Sequence, residues 1–488
     1  SPQERKFFER FSIFTGGWTL EATNAVCTDE DMDEFLALDL LTNLVDKSLV
    51  TLDRHPGREP RYRFLEPVRQ YARDRLERSG MLPFFARKHL DYYLGFAQKY
   101  AEELDGENQV AALNRLEIER ENLRSALAWS LESPETARES VRMVVALGRF
   151  WLVRGNLKEG RQWMSAVLAQ KNDCNCPDER AVALNLMGMM AYRQSDYHAS
   201  KAAWEESLEI SQQMGETGLR GVHLALTGLA MVASEVGNYD DTIRLLHEAL
   251  EITRRLGDGL SEADILRNLG WGVMRTGDYP QARTYLEQAE GLFRRYNERV
   301  GLSSTISGLG EVATRLGELE KAKTLLEEAL ALRRELDNKW GIGATLGTLA
   351  WVAMEAKDLP AARQYLSESM EVRQELGDKG GIAWCLEKMA QVSQMQGGMQ
   401  QAALLFGAAA ALRLSIHSVI DLADQAEYEA LLNTIREAIG EKMFQRKWEE
   451  GAALSLDQAV AAARQNPAEP GRIGSVFDPD DKDACTGG

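Results

Sequence analysis

The sequence predicts a mainly α-helical protein: a small N-terminal domain of helices around two short strands, then an α-solenoid of about seven helix pairs of roughly 40 residues each. Three observations predict it. Turn residues recur at a fixed step through the middle of the chain. Apolar residues flank each turn at helical spacing. Only the region before the repeats carries short runs that read as paired strands.

The repeat comes first because a fixed period dictates the architecture. Turn signals stand at Arg154-Gly155-Asn156, Gln194-Ser195-Asp196, Val236-Gly237-Asn238, Thr276-Gly277-Asp278, Leu316-Gly317-Glu318, Ala356-Lys357-Asp358 and Gln396-Gly397-Gly398; from one central residue to the next the steps are 40, 42, 40, 40, 40 and 40. Around Gly277, the residues Leu266, Leu269, Gly270 and Val273 precede the turn, and Ala282, Leu286 and Ala289 follow it. Around Gly317 the same grammar reads Ile306, Leu309, Gly310 and Ala313, then Ala322, Leu326 and Ala329. Spacings of three, four and seven put these residues on one face of each of two helices. The small residues mark where two helices approach closely, and Gly257-Asp258, Asn338-Lys339 and Gly377-Asp378 supply turn and capping residues between pairs. This order of small and large residues resembles the tetratricopeptide repeat over roughly residues 138–415. That resemblance implies a right-handed superhelix with the first helix of each pair on the concave side.

The first 80 residues differ. Phe7, Phe8, Phe11 and Phe14 make an apolar helix face ending at Gly16-Gly17, and Leu36 to Val45 reads as a second helix. Ser48-Leu49-Val50-Thr51-Leu52 and Arg61-Tyr62-Arg63-Phe64-Leu65 read as two strands joined at His55-Pro56-Gly57, and a helix resumes at Val68 to Leu76. The organisation expected is a winged-helix domain over 1–80, a linking helical arm over 81–137, repeats over 138–415, closing helices over 416–465 with Phe444 and Trp448 one turn apart, and a flexible tail over 466–488.

Phe14-Thr15-Gly16-Gly17-Trp18-Thr19-Leu20, Leu44-Val45-Asp46-Lys47-Ser48-Leu49-Val50 and Tyr62-Arg63-Phe64-Leu65-Glu66-Pro67-Val68-Arg69-Gln70-Tyr71-Ala72 resemble the winged-helix region of bacterial signal-transduction ATPases of the NB-ARC or STAND type, similar to LuxR- and AfsR-like regulators. The segment holding Trp448, Gly451 and Leu454-Ser455-Leu456-Asp457-Gln458-Ala459 is similar to the end of their repeat region. The resemblance implies a nucleotide-binding module upstream of Ser1, so that this chain is the sensing half. Two departures stand out: no Gly-x-x-x-x-Gly-Lys-Ser/Thr loop occurs, and Leu65-Glu66 stand where many relatives carry a His-Asp pair.

Lys plus Arg number 57 against 75 Asp plus Glu, a net charge of −18, which repels phosphate backbones and anionic lipid. Direct binding of nucleic acid is therefore not expected, with Arg54, Arg58, Arg61 and Arg63 the one modest basic cluster of the wing. Five cysteines in 488 residues point away from a disulfide framework and towards a reducing, cytoplasmic compartment. No apolar run is long enough for a membrane helix. Six dispersed histidines show no ligand spacing, and Cys174-Asn175-Cys176 lacks a second cluster to complete a metal site. No Ser/His/Asp or Cys/His arrangement occurs. The chain is expected to hold no metal, no cofactor and no catalytic site.

A binding surface is better defined. Positions counted back from each turn place Asn185, Met189, Arg193, Met231, Arg267, Trp271, Arg275, Glu311, Arg315, Trp351, Glu355, Trp384 and Glu387 on the concave face. Aromatic rings among convergent charged groups suit a peptide, protein or small ligand. The same tryptophans could instead pack against neighbouring helices, as Trp163 and Trp204 in second helices are expected to do. The function expected is the sensor and protein-interaction arm of a signalling ATPase that controls transcription. Effector binding in the groove would relieve inhibition of the upstream module, with an oligomer formed on activation. The alternative is a stand-alone repeat scaffold for protein assembly; a hydrolase or transferase with an unrecognised site is the third reading.

Overall fold

The computed structural model describes residues 1–29, 34–54, 59–105, 108–170 and 176–465. Two compact units emerge. The first comprises Ser1–Ile382 together with Arg413–Gln425, the second Ala383–Leu412 together with Ala426–Gly488. The expected tail, the wing tip at His55-Pro56-Gly57 and Arg58, and Cys174-Asn175 lie outside the described residues.

Unit 1 opens with helix α1 (Pro2–Phe11), started by Ser1 and Glu4 in a reciprocal capping box with Pro2 in the first turn. Its inward face delivers Phe7 and Phe11, and Phe14 and Trp18 follow, all buried. The Trp18 ring stacks on Phe11 and Phe14 at 5.4 and 5.2 Å. A helix absent from the sequence reading, α2 (Leu20–Cys27), is capped by Thr19. Helix α3 (Glu34–Asp46) covers the second expected helix. Strands β1 (Val50–Asp53) and β2 (Arg61–Phe64) pair antiparallel, Val50 opposite Phe64 and Asp53 opposite Arg61. Trp18 adds a third edge by exchanging two backbone hydrogen bonds with Tyr62, at 2.8 and 2.9 Å. Helix α4 (Glu66–Arg78) completes the winged helix.

Three helices follow, α5 (Leu82–Glu102), α6 (Gln109–Ile118) and α7 (Arg120–Ser130). They hold the wing through one buried carboxylate. Glu119 accepts from Arg61, from the Tyr93 hydroxyl at 3.0 Å and from Asn122 at 2.8 Å; Arg61 and Asn122 also donate to the Gly17 carbonyl.

Six helix pairs then stack within unit 1: α8 (Ala137–Arg154) with α9 (Leu157–Leu168), α10 (Pro177–Arg193) with α11 (Tyr197–Gln213), α12 (Leu219–Glu235) with α13 (Tyr239–Leu256), α14 (Gly259–Thr276) with α15 (Tyr279–Arg295), α16 (Arg299–Arg315) with α17 (Leu319–Glu335), and α18 (Lys339–Glu355) with α19 (Leu359–Leu376). All seven turn residues read from the sequence have positive φ: Gly155, Ser195, Gly237, Gly277, Gly317, Lys357 and Gly397. At Gly277, φ is 94°, where a side chain would meet its own backbone. Asp196, Asn238, Asp278 and Asp358 then cap the second helix of their pairs.

The pairs also meet across the solenoid. Arg154 of the first pair bonds Asp337 at 2.8 Å, Ser195 accepts from the Gly380 amide at 2.8 Å, and Arg149 bonds Glu298 at 2.6 Å. The inner face of unit 1 is therefore enclosed where the first two pairs meet the later ones.

The second unit holds the remainder of α20 (Lys379–Met395), most of α21 (Met399–Ser415), α22 (Gln425–Ile439), α23 (Glu441–Ala452) and α24 (Leu456–Arg464). Gly407 and Gly451 bring α21 and α23 to backbone contact, since a Cβ at Gly451 would lie 1.9 Å from the Leu404 carbonyl oxygen. Phe444 and Trp448 stack at 5.6 Å, one turn apart. Residues 416–421 are not part of a closing helix: the segment runs extended into a 3-10 turn at Leu422–Asp424 and belongs to unit 1. Cys27 and Cys385 are buried thiols.

The small residues explain how closely the pairs approach. A Cβ on Gly270 would lie 2.7 Å from Leu286 Cγ, and one on Gly310 would lie 2.7 Å from Leu326 Cγ, the same contact one repeat on. Leu286 and Leu326 are fully buried and cannot yield. Gly270→Ala should therefore cost on the order of 1–3 kcal/mol through overpacking despite the higher helix propensity of alanine. Urea unfolding measures it; unchanged stability would show that the helices are not in contact there.

Candidate functional site

The repeat places one residue per pair two positions before each turn. In the second to sixth pairs the series is Arg193, Glu235, Arg275, Arg315 and Glu355, three basic and two acidic residues along the inner face. One neighbouring pair bonds directly. Arg275 donates to Glu235 at 2.6 Å, and Glu235 also accepts from the Tyr192 and Tyr197 hydroxyls at 2.9 and 3.1 Å. Burial alone would raise the Glu235 carboxyl; Arg275 and the two phenols overcome it and hold the group below its ordinary value.

The face carries a segment of the same chain. Arg275 bonds Asp421 at 3.2 Å, and Arg315 grips both oxygens of Asp424, one of them at 3.0 Å. The Val419 amide donates to the Glu235 carbonyl at 3.3 Å and the Leu422 amide to the Tyr239 hydroxyl at 3.3 Å. Ile416 is buried with Tyr197, Trp204 and Val232. Residues 416–424 thus lie over the second to fifth pairs as a peptide would, with Ile416 as a buried apolar anchor and two carboxylates three positions apart.

The candidate residues do not gather at one place. Arg275, Glu311, Arg315 and Trp351 gather at the segment; Glu311 feels Arg315, Arg275, Asp421 and Asp424, and the Arg315 guanidinium lies 4.2 Å from the Trp351 ring centre. Glu355 is exposed and accepts from the Trp351 indole at 3.1 Å, and Met231 lies one turn before Glu235 on α12. Asn185, Arg193 and Arg267 occupy the enclosed interior, where Arg193 stacks on Trp340 and Arg267 bonds Asp264, and Met189 packs against the cluster that holds Ile416. Trp384 and Glu387 belong to the second unit, with the Lys388 ammonium 5.6 Å from the Trp384 ring.

Trp271 and Trp351 do not form the open aromatic platform expected of them. Trp351 is 7% exposed beneath Arg315, and Trp271 packs towards the space left by Gly308 in the next pair, 3.2 Å from where its Cβ would be. Spacing alone cannot distinguish a ring facing solvent from one seated against the neighbouring repeat. Trp204 is buried in the core, as expected for a second helix. The sequence reading missed Asp421 and Asp424. Their signal is the Asp-x-x-Asp spacing after the apolar Val419-Ile420.

In the wing, Arg61 turns inward to Glu119, and the exposed Arg63 lies 3.8 Å from Asp53. Helix α3 carries Glu34, Asp39 and Asp46 and neither Lys nor Arg. Elsewhere a cavity of about 690 Å³ lies where the first and sixth pairs meet, but its Arg120 and Arg124 both bond Glu159. Among the described residues no cluster could hold a metal, and no helix is long and apolar enough to cross a membrane.

Comparison with known proteins accords with this geometry. Residues 1–77 match the winged helix-turn-helix domain family, and residues 221–295, 272–335 and 301–375 match the tetratricopeptide repeat family. The chain is a winged helix followed by tetratricopeptide repeats. A Mycobacterium tuberculosis protein named "Putative HTH-type transcriptional regulator Rv0890c" is 41% identical over 165 residues, 34% of this chain and 18% of that protein. From the same organism, "Uncharacterized protein Rv0894" is 40% identical over 81 residues, 16% of this chain and 20% of that protein. The chain thus spans about a fifth of the length of the curated relatives it matches. Among solved structures, a Rap protein complexed with Competence and Sporulation Factor is similar at TM-score 0.48 and 14% identity, covering 91% of this chain and 100% of that one. A STAND protein with a tetratricopeptide repeat sensor from Pyrococcus horikoshii is similar at TM-score 0.39 and 15% identity, covering 89% and 65%.

Within the winged helix and repeats, Glu311 is the titratable group set for a pH response. Burial, reinforced by Asp421 and Asp424 and opposed by Arg315 and Arg275, pushes its carboxyl up to about 7. The folded chain keeps this proton at a pH where the unfolded chain has lost it. Stability should therefore fall as pH rises from the unfolded value near 4.5 to about 7, then level off. Glu311→Gln should remove this contribution, at most about 1.4 kcal/mol per pH unit. Urea unfolding from pH 5 to 8 checks it; an identical slope in the variant would refute it.

Proposed function

We propose that this chain is the sensor and protein-interaction arm of a STAND-type signalling protein that regulates transcription, and that its inner face receives an acidic peptide segment of an effector at Arg275 and Arg315. The observation that carries the reading is the segment already there. Two arginines forty residues apart, at one position of consecutive repeats, each hold an aspartate of residues 416–424. Charge-assisted bonds of this kind, with a bidentate fork at Arg315, are directional enough to select a carboxylate spacing.

The chain's own segment then acts as a resident competitor. An effector with the same spacing replaces it, and the loss of these bonds reports occupancy to the rest of the protein. A nucleotide-binding module in the parent protein would be the receiver, consistent with the family likeness of the wing. The relative named as a transcriptional regulator supports the output, and the charge of α3 favours a wing that contacts protein over one that contacts DNA. The setting proposed is cytoplasmic.

Tethering gives the resident segment a high effective concentration, so an added peptide competes only once the internal bonds are weakened. A labelled peptide spanning residues 415–426 should bind Asp421→Asn/Asp424→Asn at least tenfold more tightly than the unaltered chain, as read by fluorescence anisotropy. The gain should vanish when Arg275→Gln and Arg315→Gln are added. Equal binding to all three forms would overturn the reading.

A further inference from the structure

The enclosed interior of unit 1 holds five guanidinium groups: Arg149, Arg193, Arg267, Arg333 and Arg373. Three meet a carboxylate, Arg149 on Glu298 at 2.6 Å, Arg267 on Asp264 at 2.6 Å and Arg373 on Asp378. Among the described residues Arg193 and Arg333 meet none. Arg193 donates to the Leu152 carbonyl at 2.6 Å and stacks on Trp340 with 5.2 Å to the ring centre. Arg333 is 2% exposed; it donates to the Gly341 carbonyl at 2.8 Å, to Ser307 at 3.4 Å and to Thr345, and its Nε has no partner. The two arginines therefore converge on consecutive residues, Trp340 and Gly341, in the first turn of α18.

Buried charge without a counter-charge is costly, and like charges nearby add to the cost. Burial, with Arg267 and Arg149 facing it, pushes the Arg193 guanidinium down to about 10. Burial, with Arg193, Arg267 and Arg373 around it, pushes Arg333 down to about 9. A guanidinium so placed gains from an anionic partner.

Groups around the two arginines keep solvent access. The Asp264 side chain keeps 51% of its surface accessible, yet the surrounding protein desolvates it enough to raise its carboxyl. The Asp264 side chain is thus accessible while flanked by protein. Arg149 and Arg267 keep 34% and 19% accessible beside it. Asn185 lies on the same face of α10 as Arg193, two turns earlier; it is 7% exposed, and neither amide atom of its side chain has a partner.

We propose that this interior is a binding site for a small phosphate-type dianion, held between the Arg193 and Arg333 guanidinium groups at the Trp340–Gly341 turn of α18. Two unmatched forks call for two negative charges, and a tetrahedral oxyanion offers oxygens to both where one carboxylate serves a single fork. The phosphate is either free or the headgroup of a phosphorylated small molecule. The site is separate from the segment-binding face, and neither proposal depends on the other.

The test is thermal unfolding and calorimetric titration of the full chain with inorganic phosphate and, separately, phenyl phosphate, at ionic strength fixed with sodium chloride. A saturable rise in Tm and measurable heat are expected. Affinity should fall at least tenfold in Arg193→Gln and in Arg333→Met, and should be unchanged in Arg275→Gln. Tighter binding of phenyl phosphate would identify an organic phosphate as the ligand, and equal binding would identify phosphate itself. If Arg333→Met does not fold, Arg193→Gln alone decides. A rise that sodium chloride reproduces, or full phosphate affinity in Arg193→Gln, would overturn the proposal.

Discussion

Charge matching on an enclosed inner face is the constraint on which the rest of unit 1 depends. A repeat of fixed length places each residue type of the first helices again at the same depth, so one inward arginine becomes a series. Stacked helix pairs offer little water to dissipate that charge, and each guanidinium must find a carboxylate, a carbonyl or an aromatic face. Arg275 finds Glu235 in the preceding repeat and Asp421 beyond the solenoid. Arg315 finds Asp424 and the Trp351 ring. Without the 416–424 segment Arg315 would keep its aromatic neighbours but lose its carboxylate.

The same constraint joins architecture to function. Geometry of the pairs is set locally, by left-handed turn residues, by side-chain caps and by Gly270 and Gly310 where helices touch. None of that geometry requires the inner face to be charged. The charged residues are therefore the part of the sequence free to specify a partner, and the chain uses two of its own aspartates as that partner. A surface that is already matched can respond only to a competitor of the same chemistry, which turns a structural necessity into selectivity.

What was legible in the sequence follows from the range of the interactions. The turns, caps and small-residue contacts are set within one repeat, and Gly155 through Gly397 marked them without a structure. The wing was legible for the same reason, through the aromatic face of α1 and two strand-like runs. Helix α2 escaped because its eight residues carry no clear apolar period beyond Thr19. The site was only half legible. Positional counting found Arg275, Glu311 and Arg315, because those residues lie on a periodic element. It could not find Asp421 and Asp424, which reach the face from a connection lying more than a hundred residues downstream of Arg315. It also took Trp351 for an open ring, since whether a neighbouring repeat covers a side chain depends on how pairs stack rather than on spacing. Nor did spacing show that the solenoid meets itself at Arg154 and Asp337, which makes the interior a closed space.

The account stands or falls on whether residues 416–424 occupy the inner face in solution. Hydrogen exchange followed by mass spectrometry measures this directly, because the Val419 and Leu422 amides donate to Glu235 and Tyr239 across the chain and belong to no α-helix. Slow exchange at these two amides is predicted in the unaltered chain. Arg275→Gln/Arg315→Gln should speed exchange there while leaving helices α12 to α17 as protected as before. Exchange at Val419 and Leu422 already as fast as in an unstructured peptide would contradict the account.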